Sequence, residues 1–112
     1  MLKTTAEFAA FESLDIRVGR IVKVEEAKSR KPTWRMTIDF GPEVGTKVSC
    51  GALRNYTQDF LVGQQVIAIV NFPPRRMGPE VSEVLVLGVP DESGETIFLT
   101  PQQPVALGGT VF

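Results

Sequence analysis

Two short stretches concentrate the side chains that could act on a ligand. Lys28, Arg30 and Lys31 stand in AKSRKPT, and Arg75 and Arg76 stand in NFPPRRMGP. Clustered cations attract phosphates through counterion release and donate hydrogen bonds to phosphate oxygens and base edges. Nothing beside them suits catalysis. The chain has no His and one Cys, Cys50. His-dependent triads, His-containing metal sites and thiolate zinc sites are therefore excluded. Asp39, Glu43 and Glu83 offer carboxylates, but their spacing singles out no acid–base couple. The expected chemistry is binding, with no catalytic residue, cofactor or metal.

Charge is unevenly placed. The net charge is −1, yet residues 1–56 hold ten Lys/Arg against seven Asp/Glu, and residues 57–112 hold two against six. Both late cations are Arg75 and Arg76. A chain of 112 residues suits one domain, taken as 1–112. One free thiol and no apolar stretch long enough to span a bilayer fit a cytoplasmic protein. The N-terminus lacks a signal-peptide pattern.

The elements that must carry these cations follow from periodicity. Val66–Val70 and Val84–Val89 are buried-strand runs flanking Asn71–Glu83. Pro73 and Pro74 cannot donate to a ladder, so the segment between reads as a stiff basic loop. Thr4 and Glu7 have capping-box spacing for a short helix bearing Phe8, Phe11 and Leu14. That helix either plugs its own domain or meets a second copy.

Asp15–Glu26 is a long first strand, with Ile16, Val18, Val22 and Val24 inward, Arg17 and Lys23 outward, and a bulge or bend near Gly19. Trp34–Phe40 alternates, with Trp34 inward and Arg35 outward. In Thr46–Gly51, Val48 and Cys50 are expected inward, Lys47 and Ser49 outward. Cys50 is simplest as a small buried hydrophobe. Leu53–Val62 is the internal helix, capped by Thr57 and ended by Gly63. Asp91–Gly94 is a turn and Thr96–Thr100 an extra strand. Val105, Leu107, Val111 and Phe112 in the tail need cover from the barrel or from a second subunit.

Five strands with a helix between the third and fourth predict a five-stranded Greek-key barrel, the OB-fold. Its ligand face is strands two and three, flanked by the one–two and four–five loops. That face would gather Lys28, Arg30, Lys31, Arg35, Lys47, Ser49, Asn71, Arg75 and Arg76. A single-stranded or structured polynucleotide fits, with bases stacking on guanidinium planes or on Phe72. Phe72 is more simply wedged under the Pro-Pro turn.

DIRVGRIVKVEEAKSRKP, TIDFG, GTKVS, FLVGQQVIAIVNFPPRRMGP and SEVLVLG resemble the CsaA branch of the tRNA-binding-domain family. That family includes the C-terminal domain of bacterial methionyl-tRNA synthetase. The resemblance implies a homodimer that binds tRNA by shape, joined through the N-terminal helix and a C-terminal extension. Phe8, Phe11, Val105, Leu107, Val111 and Phe112 would then form the contact. It places the ligand surface on Lys47, Ser49, Asn71, Arg75, Arg76, Met77 and Ser82. It also implies, as an alternative, an export-related chaperone binding unfolded or precursor polypeptides. Pro79-Glu80-Val81 departs from the family's pattern, which often has a basic residue there. Glu80 is expected to repel phosphate within a screening length of about 8 Å.

Overall fold

A computed structural model describes all 112 residues. Strand β1 (Ile16–Glu26) is shared by two neighbours. Its first half pairs antiparallel with β4 (Gln65–Ile69), and its second half with β2 (Trp34–Asp39). The β1–β2 register shifts between Ile21 and Lys23. Ile21 and Val24 are thereby both buried, while Val22 is 48% exposed. The expected inward Val22 is thus corrected: it is the extra residue, and the bulge lies beyond Gly19. Gly19 is small for a packing reason, since a Cβ there would stand 2.6 Å from Ile38 Cγ2 and 2.7 Å from the Phe40 ring.

Strand β3 (Thr46–Gly51) pairs with β2, placing Ser49 opposite Met36 and Lys47 opposite Ile38. Strand β7, Leu85–Val86, pairs with β4, giving the order β3-β2-β1-β4-β7. The ends of this sheet meet across a seam. Glu83 N–H donates to Val48 O (2.8 Å), Val48 N–H to Glu83 Oε1 (2.9 Å), and Cys50 N–H to Ser82 Oγ (3.1 Å). The result is a nearly closed, five-stranded antiparallel barrel of OB type. Ile21, Met36, Ile38, Phe40, Leu61 and Val66 fill it.

The expected fifth strand is not continuous. Leu87 N–H donates to Ile67 O, but its carbonyl accepts from Leu99 N–H. The chain changes partner there, and β8 (Gly88–Pro90) forms a separate hairpin with β9 (Thr96–Phe98). Asp91 Oδ1 accepts the Ser93 and Glu95 N–H groups in the connecting turn.

Helix α1 is Phe8–Glu12, with Glu7 at its N-cap and no side-chain cap, so the Thr4 box is not made. Helix α2 is only Gln58–Leu61, capped by Thr57 Oγ1 on Phe60 N–H, with Gly63 beyond it at φ +95°. Residues 53–56 are drawn out of the expected helix: Leu53 enters the core, and Tyr56 O accepts from Trp34 Nε1 at 3.1 Å.

The tail lies on the edge of β1 that β2 leaves open. Gly108 N–H donates to Val18 O, Val18 N–H to Gly109 O, and Val111 N–H to Ile16 O. The Gln65 amide brackets the Val105 backbone at 2.7 and 3.1 Å. Arg17, expected outward, bonds Asp15, Glu43 and Gly108 O, and its side chain is 14% exposed. Leu107 and Val111 are half-buried by this docking. Phe8, Phe11, Val105 and Phe112 stay exposed. No helix is long and apolar enough to cross a membrane.

Candidate nucleic-acid interface

Strand β4 ends at Ile69, before Pro73 and Pro74, and pairing resumes directly after them. Arg75–Met77 (β5) and Glu80–Ser82 (β6) form an antiparallel hairpin where a loop was expected. Gly78 holds φ +63° in its two-residue turn, the glycine-first pattern of tight hairpins. Because strand side chains alternate, Arg75, Met77, Glu80 and Ser82 share one face, and Arg76 and Val81 the other. The first face turns toward the barrel. Glu80 and Ser82 are buried there, whereas Val81 is exposed.

That orientation brings the two basic stretches together. Lys28, Arg30, Lys31, Arg75 and Met77 line one groove of about 890 Å³, floored by Cys50 and Gly51. Arg76 is exposed but does not line it.

Glu80 does not stand free to repel phosphate. It accepts from Arg35 Nη1 at 2.9 and 2.8 Å and from Lys28 N–H at 2.7 Å. The Lys28 amide, and then Arg35, hold its carboxyl below the usual range. Arg35 also meets Glu25 at 3.3 Å. This pair lowers Glu25 and raises the guanidinium, with Glu25 the larger influence on Arg35 and Glu80 the next. The expected free cation on strand two is therefore spent inside the protein.

Strand β3 has the opposite phase to the one expected. Residues directly opposite share a face, so Ser49 sits with Met36 on the inner side, and Cys50 sits with Arg35 on the outer side. Ser49 is 3% exposed. Cys50 is buried all the same, because the hairpin lies over it. Lys47 shares the inner phase and is half-buried. Burial pushes the Cys50 thiol pKa up, helped by nearby Glu80. Ser82 Oγ is used twice, accepting from Cys50 N–H and donating to Val84 O.

Asn71 is also engaged elsewhere. Its Oδ1 accepts Asp15 N–H at 2.8 Å and its Nδ2 donates to Ser13 O at 2.9 Å, tying the end of β4 to the exit of α1. Trp34 is buried, with the Arg54 guanidinium 4.0 Å above its ring. Phe72, expected under the prolines, is 42% exposed. It borders a second groove of about 570 Å³, with Met36, Ser49, Leu53, Val84 and Leu85 along its walls. No three His, Cys, Asp or Glu side chains gather to hold a metal ion.

Reading by residue type missed the bonds of Glu80. The available signal was Gly78-Pro79 flanked by the triplets RRM and EVS, a hairpin pattern that puts Glu80 in phase with Ser82.

The family described as "Putative tRNA binding domain" matches residues 16–110. A methionine–tRNA ligase of Porphyromonas gingivalis is 38% identical over 109 residues, 95% of this chain and 16% of that protein. One from Archaeoglobus fulgidus is 34% identical over 90% of this chain and 15% of its own length. The chain thus spans about one-sixth of the length of these relatives. The chaperone CsaA of Bacillus anthracis superposes with TM-score 0.91 at 40% identity, covering 97% of this chain and 100% of that one. CsaA of Picrophilus torridus gives 0.91 at 36% identity, covering 96% and 100%. With this barrel and with sequence similarity along nearly its whole length, the chain belongs to the tRNA-binding domain family.

Proposed function

We propose that this chain binds tRNA as a homodimer, recognising shape and charge rather than base sequence, and carries out no chemistry on it. The observation that carries this reading is the groove in which Arg75 faces Lys28, Arg30 and Lys31. Such a groove follows a phosphate backbone, and Arg75 and Met77 offer surfaces against which a base can lie. Arg76, on the outer side of the same hairpin, is a secondary contact. Arg35, through Glu80, and Ser82, through the Cys50 N–H, hold the hairpin that forms one of its walls. One groove of this size binds weakly, whereas two on a symmetric dimer gain effective concentration on a single folded RNA. Phe8, Phe11, Val105 and Phe112, with the flanks of Leu107 and Val111, supply apolar surface for the contact. A tRNA partner suits the cytoplasm.

Electrophoretic titration of tRNA at about 50 and 200 mM salt tests the reading, since each single-strand phosphate neutralised contributes about −0.7 to the slope of log K against log salt. Sedimentation gives the subunit count. Affinity that ignores salt overturns the RNA reading, and a monomer at binding concentrations overturns the dimer.

The second groove favours one other reading. Its mostly apolar walls beside Arg75 suit an extended, unfolded polypeptide, in keeping with the similarity to CsaA chaperones. Suppression of a client's aggregation at low and high salt alike supports it. Suppression that disappears with salt goes against it.

A further inference from the structure

We infer that Glu80, an anion beside a site for polyanions, is the positioning residue that assembles the basic groove. The inference rests on the tRNA-binding reading for its consequence and on geometry for its mechanism.

The two walls of the groove come from segments far apart in the chain. One is the turn after β1, carrying Lys28, Arg30 and Lys31; the other is the β5–β6 hairpin, carrying Arg75. Glu80 stands on the hairpin's barrel-facing side, 6% exposed, and one of its carboxylate oxygens takes the Lys28 N–H. Both oxygens take Arg35 on β2. A single carboxylate thus ties together the turn, the sheet and the hairpin. The tip of the hairpin lies against the same turn, where an added Cβ on Gly78 would come within 4.0 Å of Lys28 O. Glu80 is compensated by Arg35 and by a backbone dipole, so its negative charge is largely spent before it reaches the groove. What remains is its geometric effect.

This role has an opposite sign from that of a bare charge. If Glu80 acted only as an anion, Glu80→Ala and Glu80→Gln would both tighten tRNA binding and steepen its salt dependence, while Glu80→Asp would change nothing. As a positioning residue, it gives another order. Glu80→Gln keeps an acceptor for Lys28 N–H and for Arg35, and binds as well as the parent or better. Glu80→Ala loses both partners. Glu80→Asp keeps the charge but is one methylene short of them. These two variants bind tRNA about tenfold more weakly, or 1.4 kcal/mol.

The experiment is tRNA titration of the three variants, combined with amide hydrogen exchange at Lys28. The expected result is a protected Lys28 amide in the parent and in Glu80→Gln, faster exchange in Glu80→Asp and Glu80→Ala, and slow exchange of the β1, β2 and β4 amides in every variant that folds. If Glu80→Ala does not fold, Glu80→Asp and Glu80→Gln carry the comparison. Tighter binding by Glu80→Ala, unchanged binding by Glu80→Asp, or a Lys28 amide indifferent to residue 80 overturns the inference. If the parent binds no tRNA, the functional reading fails while the Lys28 amide still decides whether Glu80 assembles the groove.

Discussion

Arg75 and Arg76, adjacent in the chain, point to opposite faces of the β5–β6 hairpin. Arg75 shares the barrel-facing side with Glu80 and Ser82, and Arg76 shares the outer side with Val81. The two cations are therefore unequal, although sequence presents them as a pair. Arg75→Ala is expected to weaken tRNA binding and to reduce the salt slope by about 0.7. Arg76→Ala is expected to stay within about 0.5 kcal/mol of the parent, as surface changes usually do. Parallel titrations across a salt series check this. Equal losses would mean that RNA contacts both faces of the hairpin.

Acid is expected to loosen the groove wall, whereas neutral pH leaves it intact. Glu80 and Glu25 both have pKa values lowered in the fold, from an ordinary value of 4.5. Groups shifted downward add stability that is complete above the unfolded pKa and is lost as pH falls through the folded one. Melting temperature should therefore be flat in this respect near neutrality and fall below about pH 4.5. In Glu80→Gln that acid-side fall should be smaller. A variant with the parent's full acid dependence would remove Glu80 from the account.

Gly19→Ala tests the packing that closes the middle of β1. The new methyl would meet Ile38 Cγ2 at 2.6 Å and the Phe40 ring at 2.7 Å, both in the core. Phe40 has little room to retreat, because it is fully buried within the core. Overpacking of this kind costs about 1–3 kcal/mol. Urea unfolding should register that loss, and an unchanged midpoint would show that the Phe40 ring moves freely.

Cys50 offers a probe of hairpin opening. It is 6% exposed, lies under the hairpin, and has its thiol pKa raised chiefly by burial. Reagents that need thiolate should modify the native protein slowly and the urea-unfolded protein quickly. In Glu80→Ala the native rate should rise without global unfolding. A parent thiol that reacts at the unfolded rate would contradict the burial.

Much of the barrel was legible because its signals are local. Alternation along Trp34–Asp39, the Val/Ile-rich run of β4, the Thr57 cap and the turn at Asp91–Gly94 each lie within a few residues of chain. Cations in two separated turns, set on an OB frame, were enough to indicate a shared basic groove. Other features depended on partners distant in sequence. A period of two says which residues alternate but not which set faces inward. For β3 that was settled by pairing with β2, which placed Ser49 opposite Met36. The bulge at Val22 answers to the register against β2, and the hairpin over Cys50 to the seam between Ser82 and β3. Sequence by itself determined that this chain forms a small β-barrel with cations in two separated turns. Only the tertiary structure decided which charges remain available, because ion pairing depends on distances between segments such as Glu80 and Arg35, 45 residues apart.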